Sequence, residues 1–169
     1  MPKPMVRRRE ARDLAEVAEV LIAVHKSDGY PVEGVEDPQG WLSPDGLLAA
    51  WVAELDGHVV GHVAVNSPRS GDEVAYLWSE KSGAAPSQVG VLARLFVASD
   101  ARKGSAGQHL MDAAASYARA NNLRLVLEVL TKDAAAIRLY ERLGWQRFGE
   151  TEHTFAGERF DAVCFVAPA

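Results

Sequence analysis

A change of hydrophobic period within one short stretch constrains this chain more than anything else in it. Residues 94–111 read Arg-Leu-Phe-Val-Ala-Ser-Asp-Ala-Arg-Lys-Gly-Ser-Ala-Gly-Gln-His-Leu-Met. An apolar strand carrying Leu95, Phe96 and Val97 runs into a turn of Arg102, Lys103, Gly104, Ser105, Ala106 and Gly107. A helix then starts with Leu110 and Met111 already in register. Small residues let backbone approach a bulky group, and the first N–H groups of a helix have no partners inside it. Those donors, the positive end of the helix dipole and two cationic side chains together make a site for a phosphate or diphosphate. A plain strand-to-helix loop also uses small residues, but the strand–turn–helix setting favours the anion site.

Two common phosphate loops do not fit. A P-loop closes a longer loop on Gly-Lys-Ser/Thr, and no such run occurs here. A dinucleotide fold carries its glycine fingerprint on the first strand, with an acidic residue about 20 residues further on. This loop lies past the middle of the chain instead.

The spacing resembles the coenzyme A diphosphate loop of the GNAT superfamily of N-acetyltransferases, written Arg/Gln-x-x-Gly-x-Gly/Ala. Arg102 takes the first place, Ser105 stands where the middle glycine usually is, and Gly107 fills the last. Ser is small and offers a hydroxyl, and Gly104, one position early, supplies the backbone freedom. Residues 133–145, Asp-Ala-Ala-Ala-Ile-Arg-Leu-Tyr-Glu-Arg-Leu-Gly-Trp, are similar to the family's C-terminal motif, Asn-x-x-Ala-x-x-x-Tyr-x-x-x-Gly-Phe. Asp133 replaces the Asn, Ala136, Tyr140 and Gly144 fall in place, and Trp145 supplies the aromatic. Asp133 also reads as a helix N-cap and Gly144 as the residue that ends the helix after Leu143. Helix punctuation explains most of these positions singly. It does not explain two motifs at the family's separation with a strand between them, and the resemblance extends loosely over nearly the whole chain.

At 169 residues and 48% hydrophobic, the chain is sized for one domain over residues 1–169. No apolar run approaches the ~20 residues of a membrane span, and the basic start lacks a signal-peptide core. A cytoplasmic location is the expectation. Cys164, the one cysteine, excludes an internal disulfide and a cysteine metal cluster, and its apolar neighbours mark a buried strand thiol. No metal is expected. A net charge of −5 argues against a nucleic-acid surface and favours cationic acceptors such as amines.

Met5–Arg9 reads as a short strand. Asp13 and Glu16 make a capping-box-like start to a helix with Leu14, Val17, Ala18, Leu21, Ile22 and His25 on one face. It stops near Gly29 and Pro31. Residues 28–46 spend Tyr30, Val32, Val35 and Trp41 in a Gly- and Pro-rich stretch, so this segment should fold over something. Asp56-Gly57, between Leu48–Leu55 and His58–Val65, signals a hairpin. A short helix over Asp72–Ser82, a strand over Gln88–Ala98, a helix over Ser105–Asn121, a strand over Arg124–Leu130 and a helix over Ala134–Leu143 follow. Strands near Trp145–Gly149 and Phe160–Val166 close the chain. The fold class is α/β: a mixed, largely antiparallel sheet with one parallel β-α-β step around residues 88–130. This is the GNAT element order, in which helices cover both faces and the two parallel strands splay at a bulge to admit the pantetheine arm.

The resemblance implies acetyl-CoA as donor and transfer to a primary amine of a small molecule or peptide. It puts the backbone of Leu95, Phe96 and Val97 against pantetheine, the Arg102–Gly107 turn on the diphosphate, and Asp133 and Ala136 on the cofactor side. Tyr140 is the candidate acid for the leaving thiolate, since a phenol near pKa 10 and a thiol near 8.5 are close enough for proton transfer. No acid occurs in residues 88–98, where many relatives carry a Glu. Glu128, His62, His25 or an ordered water is left to take the proton of the acceptor. Asp28, Tyr30 and Trp41, with Glu33, Glu36 and the wall residue Trp78, are the acceptor-side candidates, because carboxylates beside rings suit a cation. Dimerisation through C-terminal strands is common in the family. A non-catalytic acyl-CoA sensor is the alternative reading.

Overall fold

The computed structural model describes residues 3–69, 72–102 and 104–169. Its elements run β1 (Met5–Arg8), α1 (Leu14–Asp28), α2 (Pro38–Leu42), β2 (Leu47–Leu55), β3 (His58–Asn66), α3 (Glu73–Ser82) and β4 (Val89–Val97). They continue with α4 (Ala106–Ala120), β5 (Arg124–Leu130), α5 (Ala134–Arg142), β6 (Gln146–Phe155) and β7 (Glu158–Val166). The strands form a seven-stranded sheet in the order β1-β2-β3-β4-β5-β7-β6, with β4 and β5 the parallel pair. The mixed, mostly antiparallel α/β architecture is the one expected. No helix among the described residues is long and apolar enough to cross a membrane. The chain divides into two compact units, one through Val65 with Arg94–Ala114, the other Asn66–Ala93 with Ala115–Ala169.

In the first unit, Asp56 and Gly57 adopt φ of 53° and 80°, the two positive angles a type I′ turn needs, and join β2 to β3 as expected. β1 runs antiparallel to β2, with Val6 opposite Ala53 and Arg8 opposite Trp51. Helix α1 ends on Gly29 at φ 73°. Its Val17, Ala18, Leu21 and Val24 pack with Leu42, Val52, Val59 and Phe96. Ile22 departs from expectation and is 44% exposed, because the buried stripe follows a strict three-to-four-residue step through Val24. Segment 28–46 does fold over this cluster: Tyr30, Val35 and Trp41 all pack on it.

The start of α1 differs from the expected box. The amide of Glu10 donates to Asp13 Oδ2 at 2.6 Å, and Arg7 donates two bonds of 2.8 Å to the same carboxylate. Glu16 instead accepts from the Val59 amide at 3.1 Å. The Arg7 guanidinium holds the buried Asp13 carboxyl down at about 2, against the opposing effect of burial.

In the second unit, α3 lays Val74, Ala75, Leu77 and Trp78 on Val89, Val126, Cys164 and Val166. The parallel ladder pairs Val89, Gly90 and Val91 with Arg124, Leu125 and Val126. β5 also pairs antiparallel with β7, from Val126 opposite Val166 to Leu130 opposite Ala162. The last two strands are longer than expected and form a hairpin on Ala156 and Gly157, at φ 53° and 80°. Their polar faces hid the period, and Ala-Gly is a weaker turn signal than Asp-Gly. A register shift between Arg147 and Gly149 puts a bulge at Phe148.

Candidate active site

The first unit builds the loop. After β4, the Ala98 amide donates to the Val60 carbonyl at 2.7 Å, and Arg102 Nε donates to the Val97 carbonyl at 3.0 Å. Helix α4 then sets in at Ala106, with the His109 amide on the Ser105 carbonyl at 3.0 Å. Ala106, Leu110 and Met111 are buried, so the first turn is anchored from beneath while its amides lack intrahelical partners. Gly61 of β3 permits this. A Cβ there would meet Leu110 Cδ1 and the Phe96 carbonyl oxygen, both at 3.1 Å. A Cβ on Gly104 would meet the Ala101 carbonyl oxygen at 3.6 Å, an ordinary contact. Lys103 lies outside the described residues.

Asp28 and Arg102, assigned from sequence to acceptor and donor respectively, meet in an ion pair at 2.5 Å. Tyr30, Trp41 and Phe96 form an aromatic group with ring centroids 5.9–6.4 Å apart. Trp41 Nε1 donates to Glu33 at 2.8 Å, while the Arg94 guanidinium lies 4.3 Å from the centroid of the Trp41 ring and its Nε donates to the Trp41 carbonyl at 3.1 Å. Arg94 has φ 58° in the middle of β4, an unusual angle for a side-chain-bearing residue and the mark of an irregular strand. Arg9 donates to the Leu42 carbonyl at 2.7 Å and to Ser43 Oγ at 2.8 Å. Two arginines thus cap the carbonyl end of α2.

His62 sits between them, fully buried. Arg9 Nη1 is 3.0 Å from its Nε2, and its Nδ1 is 2.9 Å from the Arg94 carbonyl. A guanidinium only donates, so Nε2 accepts and Nδ1 carries the proton. Burial and the two arginine charges push the imidazole down to about 4, although the Arg94 carbonyl favours its charged form. The ring stacks on Phe96 at 5.4 Å. His62 is neutral, and its one lone pair is in use.

The second unit holds the titratable groups of the two motifs. Tyr140 on α5 is 6% exposed and packs on Trp145 and Phe165 at 6.1 and 5.8 Å. Burial pushes this phenol well above its usual range, aided by the negative charge of Asp133. It is a protonated donor at neutral pH. Asp133 precedes α5 as expected but does not cap it with its side chain; its carbonyl accepts from Ile137 and its carboxylate lies 3.7 Å from Lys132. Gly144 takes φ 88° and ends the helix, and Ala136 is half-buried one turn before Tyr140.

Glu128 on β5 accepts from Thr151 Oγ1 at 2.5 Å and contacts His153 Nε2, both on β6. Cys164 is buried, and burial together with Glu128 pushes its thiol up to about 12, so it is no nucleophile. Trp78 stands edge-on to Phe148 at 5.2 Å with Arg124 over its ring at 5.5 Å. Among the described residues no group of three or more His, Cys, Asp or Glu side chains is placed to hold a metal. The sequence missed Thr151, His153, Arg9 and Arg94. Only the i, i+2 spacing of Thr151 and His153 was a signal, and it lies in a strand read as ending at Gly149.

This mixed sheet with its strand–turn–helix loop is an acetyltransferase fold. It matches the ribosomal-protein-alanine N-acetyltransferase of Brucella melitensis at TM-score 0.74 and 23% identity, over 96% of this chain and 98% of that one. It matches NAA60 of Arabidopsis thaliana in complex with acetyl-CoA at 0.73 and 20%, over 97% of both chains. The ribosomal-protein-S18-alanine N-acetyltransferase of Escherichia coli matches at 0.70 and 17%, over 98% and 93%. No curated protein matches by sequence. The sequence model of the acetyltransferase (GNAT) family covers residues 14–145, and the chain belongs to that family. It is an N-acetyltransferase with acetyl-CoA as its donor substrate.

Proposed function

We propose that the chain, as a single cytoplasmic domain, moves the acetyl group directly to a primary amine of a peptide or small molecule in a ternary complex. The observation that carries this reading is the place of Tyr140, buried on α5 in the family's motif position. Acetyl-CoA supplies the thioester. The backbone of Leu95, Phe96 and Val97 aligns its pantetheine arm, and the Arg102–Gly107 turn holds its diphosphate, with Asp133 and Ala136 on the same ligand. The small residues and the unpaired first-turn amides of α4 suit that role. Glu128 takes one proton from the acceptor ammonium; Tyr140 gives its own to the departing sulfur and is restored by the second proton, which the attacking nitrogen sheds as the amide forms.

His62 we assign to positioning, since Arg9 uses its lone pair and its Nδ1 holds the Arg94 carbonyl. Asp28, Tyr30 and Trp41 form the acceptor side, with Trp78 as a further wall. Because Arg94 covers one face of Trp41, an acceptor cation meets the carboxylates and Tyr30 rather than that face. Peptide N-termini are included because two structural neighbours are named for acting on ribosomal-protein alanine.

The test is a panel of acceptors with thiol release as readout: an alanine-terminated peptide, a lysine peptide, spermidine and phenethylamine. Turnover on at least one is expected. Micromolar CoA binding with no turnover on any would support an acyl-CoA sensor instead.

A further inference from the structure

Glu128 is the one acid on β5, and it lies two residues beyond Val126, the last residue of β5 that pairs with β4. There the strand loses a neighbour on one side. On its other side the chain returns as β7 and then as β6, and β6 aims two side chains at the same carboxylate. Thr151 Oγ1 donates to Oε2 at 2.5 Å, and His153 Nε2 meets Oε1. The bulge at Phe148 resets the alternation of β6, and Thr151 and His153, two positions apart, then share a face.

Exposure rises steadily along this group. Thr151 is 8% exposed, the Glu128 side chain 19% and the His153 side chain 46%. Thr151 holds one oxygen of the carboxylate from the buried side. A half-exposed histidine adds little as an ion pair, since solvent screens it. It adds something a hydroxyl cannot supply: a second nitrogen, on the far side of the ring, at which a proton can enter or leave.

We infer that His153 is a positioning and proton-accepting residue behind Glu128, carrying to water the proton that Glu128 removes from the acceptor. This rests on the acetyl-transfer reading above. The acceptor N–H bond breaks as an O–H bond forms on Glu128. The solvent-exposed ring exchanges to its Nδ1–H tautomer once Glu128 is protonated, so that the Nε2 lone pair accepts that proton and the carboxylate is restored. The imidazolium releases its Nδ1 proton to water, and exchange with solvent resets the ring. One proton leaves per acetyl group, and nothing is oxidised or reduced. Cys164, with its thiol at about 12, does not compete for it.

The test compares wild type, His153→Ala and His153→Asn on the best acceptor of the panel, with and without added imidazole. Asn keeps an N–H for Glu128 but cannot carry a proton. Both variants should lose about 10- to 100-fold in kcat, with KM for acetyl-CoA unchanged. Imidazole should restore part of the His153→Ala rate, because the site is open to solvent. A His153→Asn enzyme with wild-type kcat would show that the contact is only structural. Failure of imidazole to rescue a folded His153→Ala would overturn the relay as well. A wild type that binds CoA yet acetylates nothing would instead contradict the acetyl-transfer reading, and the inference with it.

Discussion

Between Val97 and Gly107 the chain works with its backbone; between β5 and β6 it works with side chains. In the loop, neighbours in sequence fix one another: Arg102 bonds to Val97 five residues back, and Gly104 to Ala101. On the β5–β6 face, Glu128 meets partners 23 and 25 residues away, delivered by strand register. Main-chain donors can hold an anion whatever the side chains are, provided these stay small. Proton transfer tolerates no such freedom, because it needs one particular group at one particular place. Changes in the loop should therefore alter binding, and changes near Glu128 or at Tyr140 should alter turnover.

Gly107→Glu should break the first half of that contrast most severely. Bulk and negative charge in the first turn of α4 should raise the CoA dissociation constant more than ~100-fold, a loss of about 2.7 kcal/mol. Calorimetric titration with CoA checks it, and retained affinity would mean that the diphosphate lies elsewhere. Tyr140→Phe tests the other half. It should cost roughly 100-fold in kcat and leave CoA affinity within about twofold of wild type.

Trp41→Ala should have a smaller effect, of a third kind. The ring joins Tyr30, Phe96, Glu33 and Arg94 into one wall, so its loss should raise KM for the acceptor about tenfold, or ~1.4 kcal/mol, without touching CoA binding. Steady-state kinetics on the best acceptor decide it; an unchanged KM would remove residues 30–41 from acceptor recognition.

Asp13→Asn should leave kcat alone. Its carboxyl titrates at about 2 when folded, below the ordinary value of 3.8. It therefore stabilises the fold above pH ~4, and that contribution, about 2 kcal/mol, fades as pH falls from ~4 to ~2. Urea unfolding at several pH values should show the variant less stable at pH 7 and less acid-sensitive in that window. Equal curves for both proteins would mean the Arg7 pair contributes nothing.

What could be read in the sequence follows the same division. Asp56-Gly57, Gly29 and Gly144 announce turns and helix ends because the required φ is positive and few residues tolerate it. The turn into α4 and the helix bearing Tyr140 were legible because their signals lie within a dozen residues. The length of β6 was not: its exposed, polar alternation resembles loop, and Ala156-Gly157 is a quiet turn. His153 could not be joined to Glu128 without knowing that β7 lies between β5 and β6 and that Phe148 shifts the register. Asp13 looked like a helix cap, but Arg7, six residues earlier, claims its carboxylate. Arg94 gave no warning at all, because nothing in its sequence requires φ 58° in a strand.

The separation of binding from chemistry is tested most directly by measuring CoA affinity and kcat together for Tyr140→Phe. The account predicts a variant that binds CoA as wild type does and has lost nearly all turnover. Wild-type turnover at saturating acceptor would contradict it, and so would a turnover loss matched by an equal loss of CoA affinity.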